Sequence, residues 1–377
     1  MPVRVMIIAG ESSGELYGAM LARRLREMWP DLLLLGIGGE KMEASGVELL
    51  SGINSAFGGV GALSSVKHLI ASYKKLKDVF KTIRVDVVVL IDFPDFNLKV
   101  AKAAKKSGIK VLYYVSPQVW AWRMGRIKKV ARRSDVIAAI LPFEPEIYAK
   151  ENVYCEFVGH PIVEELNTHV IDKNALMREF SLDAERPVIG MLPGSRQGEL
   201  GRHLPVLIDT IKILKLQHPE FQYLMPIAPN LTIGEFGQMF AELAALDVKL
   251  IDGRAVEALS ICDLGVVKSG TAAFQAALIG VPIVVIYKMG ALDYNIIRRI
   301  IEVKYINLVN LIYDAPVVKE LIQEMAVPEA IAGELLKLYE DIDLRSETLE
   351  KFKRLREIFD QKNPTNRVAE LIAQLIA

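Results

Sequence analysis

The sequence predicts a two-domain α/β protein made of two doubly wound parallel sheets in tandem. Three observations carry that expectation. The 377 residues exceed what one hydrophobic core supports. Short runs of Val, Ile and Leu recur without internal alternation, as parallel strands covered on both faces do. Longer amphipathic stretches separate these runs, so the order is strand, turn, helix, repeated.

A first series comprises Val3–Ala9, Val87–Ile91, Val111–Val115 and Val136–Leu141. A second comprises Val188–Leu192, Tyr223–Ile227, Val248–Ile251, Leu264–Val267 and Ile283–Tyr287. Between them Glu164–Arg186 is polar and irregular, which predicts the interdomain connection. From about Ser346 the chain reads as helical, with Leu349, Phe352, Leu355 and Phe359 as an apolar stripe. Asn363-Pro364 starts a last helix, with Pro at a favoured first position. The expected domains are residues 1–165 and 166–345, with helices of 346–377 crossing back to the first domain.

Composition narrows the function. The chain is 51% hydrophobic and 24% charged, which is globular and leaves no room for extensive disorder. Lys+Arg and Asp+Glu stand at 46 each, so no nucleic-acid partner working by bulk charge is expected. Cys155 and Cys262 lie far apart without metal-type spacing, and reduced thiols in a cytoplasmic protein are expected. Val3–Ala9 runs straight into a glycine turn rather than into a signal-peptide pattern. No apolar run reaches the roughly 20 residues of a membrane span, so any bilayer contact is expected to be peripheral.

Open α/β sheets bind ligands outside the carboxyl ends of their strands, and the residues that follow the apolar runs are the informative ones. Leu192-Pro193-Gly194-Ser195-Arg196 combines a glycine that lets backbone approach a ligand, a hydroxyl and a guanidinium fork. Lys268-Ser269-Gly270-Thr271-Ala272 opens a helix whose free N–H groups suit an anion. Either loop alone is an ordinary strand-to-helix turn; two in one domain predict diphosphate binding. Asp92 ends the Val87–Ile91 strand, where general-base catalysis and a purely structural role are both open. Asp95 fits an N-cap.

Glu11, Ser13, Gly14 and Glu15 follow the first strand without a dinucleotide or P-loop spacing. Their acidity predicts a sugar rather than a phosphate. Ser116, Trp120, Trp122 and Arg123 fall in another post-strand loop, where the tryptophans either pack or line a sugar or acyl pocket. Arg126, Lys128 and Lys129 continue as a basic helix. Scattered histidines predict no metal site and no cofactor, so leaving-group charge falls to the two helix-end loops and Arg196. Asp341-Ile342-Asp343 reads as a solvated helix edge and His160 as a structural histidine. Val66–Arg84 places Leu69, Ile70, Tyr73, Leu76 and Phe80 on one face among lysines, which either covers a sheet or rests on anionic lipid.

Taken together, these segments resemble the bacterial lipid-A-disaccharide synthase family of GT-B glycosyltransferases. The resemblance is carried by Ala9–Gly14, Gly36–Met42, Asp92–Asn97, Tyr114–Arg123, Leu141–Glu144, Phe157–His160, Leu192–Arg196, Ser269–Ala272, Leu308–Leu311 and Val318–Gln323. It implies the GT-B fold and an inverting, metal-independent transfer. UDP-2,3-diacylglucosamine donates its sugar to the 6-hydroxyl of 2,3-diacylglucosamine 1-phosphate, on the cytoplasmic face of the inner membrane. A different lipid-linked acceptor, or a non-catalytic nucleotide-sugar-binding or lipid-binding protein, is the rival reading, and oligomeric state is open, a homodimer included.

Carried over, Asp92 is the base, Arg196 a diphosphate contact and Asn310 an essential polar position. Gly194, Ser195, Ser269, Gly270, Thr271, Ala272 and Gln275 form the UDP side. The chain departs from the family at Glu15 (Asp), Gln275 (an acidic residue), Val309 (Pro) and Ala62, within Phe57–Leu63, where an acidic residue is usual.

Overall fold

The computed structural model describes residues 2–52, 62–122, 124–229, 231, 233–290, 293–295, 298, 300 and 303–377, with backbone alone at 12, 62–66, 122, 124, 233 and 235. Two compact units are present: Met1–Pro161 with Lys362–Ala377, and Ile162–Gln361.

The first unit is a seven-stranded sheet of β1 (Arg4–Ala9), β2 (Leu33–Gly38), β3 (Glu48–Gly52), β4 (Val87–Ile91), β5 (Lys110–Tyr114), β6 (Val136–Ala139) and β7 (Tyr154–Phe157). Their spatial order is β3-β2-β1-β4-β5-β6-β7. Every pairing is parallel. The order of strand addition reverses between β1 and β4, whose last residues Ala9 and Ile91 lie in register. β4 is buried along its whole length, as its unalternating VVVLI predicts.

Helix Ser12–Met28 lies against the last helix, Pro364–Ile376, where Arg24 Nε donates to Asn366 Oδ1 at 2.8 Å. Asn363 caps that last helix, accepting from Asn366 N at 3.2 Å. Arg367 forks onto Glu156 of β7 at 2.7 and 2.9 Å. Helices Ala62–Thr82, Pro94–Lys106 and Ile127–Ala131 neighbour one another in turn. Tyr73 meets Phe96 edge-on at 6.5 Å. Arg126 bonds Asp95 at 2.7 Å, and Arg133 donates to the Leu98 carbonyl.

The second unit is a six-stranded parallel sheet of β8 (Val188–Leu192), β9 (Gln222–Ile227), β10 (Val248–Asp252), β11 (Leu264–Lys268), β12 (Ile283–Tyr287) and β13 (Lys319–Ile322). The order β10-β9-β8-β11-β12-β13 puts the reversal between β8 and β11, with Leu192 beside Val267. Helices Gln197–Gln217 and Pro328–Glu340 bury Leu200, Leu204, Leu207, Ile331 and Leu335 in one core. Phe274 of Thr271–Ile279 packs edge-on against Phe359 at 5.3 Å.

Several details differ from the sequence expectation. β2, β3, β7 and β13 fall outside both predicted series; β3, β7 and β13 are edge strands, short and half-exposed, and a strand with one neighbour needs no continuous apolar run. The connection expected to be irregular holds helices Pro161–Thr168 and Lys173–Glu179. Asp172 caps the latter through Ala175 N at 2.9 Å. Helix Ile342–Asp360 belongs to the second unit and only Pro364–Ile376 to the first, because Phe359 pairs with Phe274. Asp341 caps Ile342–Asp360 through Leu344 N. Leu349 and Ile70, placed by periodicity on apolar faces, are exposed.

Candidate active-site residues

In the first unit the β1 and β4 loops leave the sheet side by side. Asp92 and Phe93 follow Ile91 with φ of 47° and 48°, a left-handed pair that Asp tolerates and Phe does not readily adopt. Neighbours hold it. The Asp92 carbonyl accepts from Tyr113 Oη at 2.8 Å and from Asn97 Nδ2 at 2.9 Å. Asn97 Nδ2 also reaches the Ile91 carbonyl. Phe93 stacks on Phe96 at 5.5 Å, and its ring fills the space where a Cβ on Gly10 would stand, 2.4 Å away. Gly10 is therefore required by the turn that presents Asp92. Backbone strain held by contacts of this kind clusters at active sites. Burial, then the nearby Asp92 carboxylate, pushes the Tyr113 hydroxyl well above its usual range, so it stays a hydrogen-bond donor.

The acceptor-side residues divide. Glu11 is exposed at the N-cap of Ser12–Met28, Ser13 is half-buried, and Gly14 packs on Ile91. Glu15 turns away to helix Glu40–Ala44, accepting from Lys41 N at 2.8 Å. Ser116 is buried against Tyr148 Oη at 2.7 Å. Trp120 is a packing residue: its Nε1 donates to Glu144 at 3.2 Å and its ring meets Phe143 edge-on at 4.9 Å.

Glu144, whose importance sequence reasoning missed, also accepts from the Ile140 and Leu141 N–H groups. Burial pushes its carboxyl up to about 7, against those hydrogen bonds. The Trp122 side chain, Arg123 and most of Phe57–Leu63 lie outside the described residues. His160 is buried, edge-on to Tyr17 at 6.0 Å, and burial pushes it down to about 3.

In the second unit the two predicted loops are joined. Gly194 has φ of 119°, and a Cβ there would stand 2.4 Å from Glu199 Oε2, so only glycine fits beside that carboxylate. Glu199 Oε2 accepts from Ser195 N at 3.0 Å, while Oε1 meets Lys268 Nζ at 2.9 Å and Arg196 Nη1 at 4.0 Å. Neither Glu199 nor Lys268 stood among the predicted site residues. The readable signal was a carboxylate one helical turn beyond Arg196. Burial raises the Glu199 carboxyl, but Lys268, the Ser195 N–H and Arg196 outweigh it and hold it below the ordinary range.

Ser195, Arg196, Gly270 and Thr271 are exposed; Ala272 and Gln275 are half-buried. His203 Nε2 accepts from Lys288 N at 2.9 Å, and burial pushes this histidine down to about 4.

Asn310 is 1% exposed, and its amide is bonded inside the second unit. Its Nδ2 donates to the Val318 carbonyl and Glu320, and its Oδ1 accepts from Val318 N. Glu320 accepts from the Ile306 and Asn307 N–H groups and the Asn307 amide. The Ile306 carbonyl then accepts from Ser269 Oγ at 3.1 Å. Asn310 therefore positions the Ser269 loop through Glu320. Among the described residues no cluster of three or more His, Cys, Asp or Glu could hold a metal.

Two Rossmann-like units, each with loops at its switch point, define the GT-B class. Solved structures share the fold: a glycotransferase of kitacinnamycin (15% identity, TM-score 0.66, all of both chains) and UDP-GlcNAc 2-epimerase from Neisseria meningitidis (14%, 0.65, 99% of each). A profile described as lipid-A-disaccharide synthetase matches residues 5–375. Relatives named lipid-A-disaccharide synthase include one from Coxiella burnetii, 38% identical over 374 residues (99% of this chain, 98% of that one). Another, from Geobacter metallireducens, is 38% identical over 376 residues (99% and 97%). The chain belongs to the lipid-A-disaccharide synthetase family, and it is a glycosyltransferase.

Proposed function

We propose that the chain makes the lipid A disaccharide, moving 2,3-diacylglucosamine from its UDP derivative to the 6-hydroxyl of 2,3-diacylglucosamine 1-phosphate and releasing UDP. The observation that carries this reading is the second unit's switch point, where two loops present Ser195, Arg196 and a helix start, a donor set suited to a diphosphate. Membership in the family supplies the sugars. In the first unit Asp92 serves as the general base for the acceptor hydroxyl, held by Asn97 and Tyr113. Inversion follows from one displacement at the anomeric carbon, the acceptor oxygen entering as the UDP oxygen leaves.

Purified protein given both lipid substrates and excess EDTA should release one UDP per disaccharide formed. UDP release with a single substrate, or none with both, would sink the reading.

The reading includes a peripheral bilayer contact. No helix among the described residues is long and apolar enough to cross a membrane. From Asp95 to Asp135 the chain carries eleven lysines and arginines against two aspartates, and both aspartates are paired, with Arg126 and Lys105. Lys99, Lys102, Lys106, Lys128, Lys129 and Arg132 are exposed on adjacent helices. Such a face favours anionic lipid by about 1 kcal/mol per basic residue near the surface. Co-sedimentation with anionic vesicles should be strong at low salt and weak at high salt; binding indifferent to salt would contradict the contact.

A further inference from the structure

Glu199 gathers donors that also suit a phosphate. Its two oxygens take the Ser195 N–H at 3.0 Å and the Lys268 ammonium at 2.9 Å, with Arg196 at 4.0 Å. Two cations therefore share one carboxylate. The pair is largely withdrawn from water, with side chains 18% and 13% exposed, so each charge acts at lower effective dielectric than on an open surface.

Lys268 ends β11 beside the Pro193 loop. Its Nζ lies 5.3 Å over the Tyr287 ring and 3.5 Å from where a Cβ on Gly270 would stand. The ammonium is thus at the start of helix Thr271–Ile279, between the two predicted phosphate loops.

We propose that Lys268 is a diphosphate-binding residue of the donor site, its ammonium passing from Glu199 to a phosphate oxygen when UDP or a UDP-sugar binds. This rests on the UDP-sugar reading above. Glu199 holds the lysine over Tyr287 and keeps Ser195 in register. The uracil and ribose make no use of this charge, so the effect is confined to ligands with phosphate.

A competing account gives Lys268 only the task of neutralising Glu199. Both accounts predict that Lys268→Gln weakens UDP binding, because an unpaired Glu199 repels phosphate. They part at the double variant. Calorimetric titration of the full chain with UDP and with uridine should show UDP affinity reduced about tenfold or more in K268Q, with uridine unchanged. The E199Q/K268Q protein should stay as weak for UDP as K268Q, and E199Q alone should bind UDP at least as tightly as the unaltered chain. Lys268→Arg, which keeps the charge and the stem over Tyr287, should stay within about threefold.

Recovery of full UDP affinity in the double variant overturns the proposal, as does equal loss of UDP and uridine in K268Q. If the unaltered chain binds uridine but gains nothing from the diphosphate, the donor-site reading itself fails.

Discussion

At the switch point of the first unit the chain turns through two non-glycine residues in the left-handed region, Asp92 and Phe93. At the switch point of the second, the left-handed positions are Gly194 and Gly270, flanked by Lys268 and Arg196. The sheets share one topology and the loops arise at equivalent places. The difference matches the two tasks proposed for these loops. A carboxylate must be aimed, which requires a side chain at the strained position and contacts to hold it there. A diphosphate must lie against N–H groups, which requires that no Cβ stand in its way. Under the proposed function, the same fold carries a directed base in one unit and an anion cradle in the other.

The largest effects should separate the two loops. Asp92→Asn keeps the turn and removes the proton acceptor; turnover should fall by about 10²–10⁴, with UDP affinity by calorimetry unchanged. Lost UDP binding in D92N would erase the division of labour.

Gly194→Ala should do the reverse. Its Cβ would displace the Glu199 carboxylate and meet a φ of 119°, so UDP affinity should fall about tenfold and stability by about 1–3 kcal/mol. An unaltered UDP isotherm would show that the cradle tolerates a side chain.

A smaller contrast concerns pH. His160 in the first unit and His203 in the second are pushed down by burial, to about 3 and about 4. Each is neutral when folded, so its contribution is present above the unfolded value near 6.5 and is lost as pH falls toward those values. Glu144, at about 7, acts oppositely: unfolded carboxyls ionise near 4.5, so stability declines as pH rises from there through 7. Each group changes stability by at most about 1.4 kcal/mol per pH unit. Trp29, Trp120 and Trp122 all lie in the first unit, so tryptophan fluorescence reports that unit. Its unfolding midpoint should be highest on a plateau between about pH 4.5 and 6.5, where the two slopes cancel, and Glu144→Gln should remove the decline above it. A decline that persists in that variant would assign it elsewhere.

The smallest expected change is at Gln275. Restoring an acidic residue by Gln275→Glu should tighten UDP a few-fold through a charge-assisted bond to the ribose diol, without changing affinity for inorganic diphosphate. Equal changes for both ligands would mean that residue 275 acts on the phosphates.

The sequence by itself determined the layout. Unalternating runs such as VVVLI suit strands covered on both faces, and the glycine turns behind them fall where open α/β sheets bind ligands. Asn363-Pro364 announced its helix because a cap is a local bond. The loops at Pro193 and Ser269 were legible for the same reason, each being a strand end followed by a helix start.

What only the tertiary structure decided involves partners distant in sequence. Which strands are neighbours sets β8 beside β11 and so brings Lys268 to Glu199. The partner of Trp120 is Glu144, which turns a candidate pocket residue into packing. Asn310 is linked to the Ser269 loop through Glu320 and the Ile306 carbonyl. Helix Ile342–Asp360 stays with the second unit because Phe359 finds Phe274. Periodicity reports which face of an element is buried; it carries no information on the group that face will meet, because that is set by chain crossings between residues far apart.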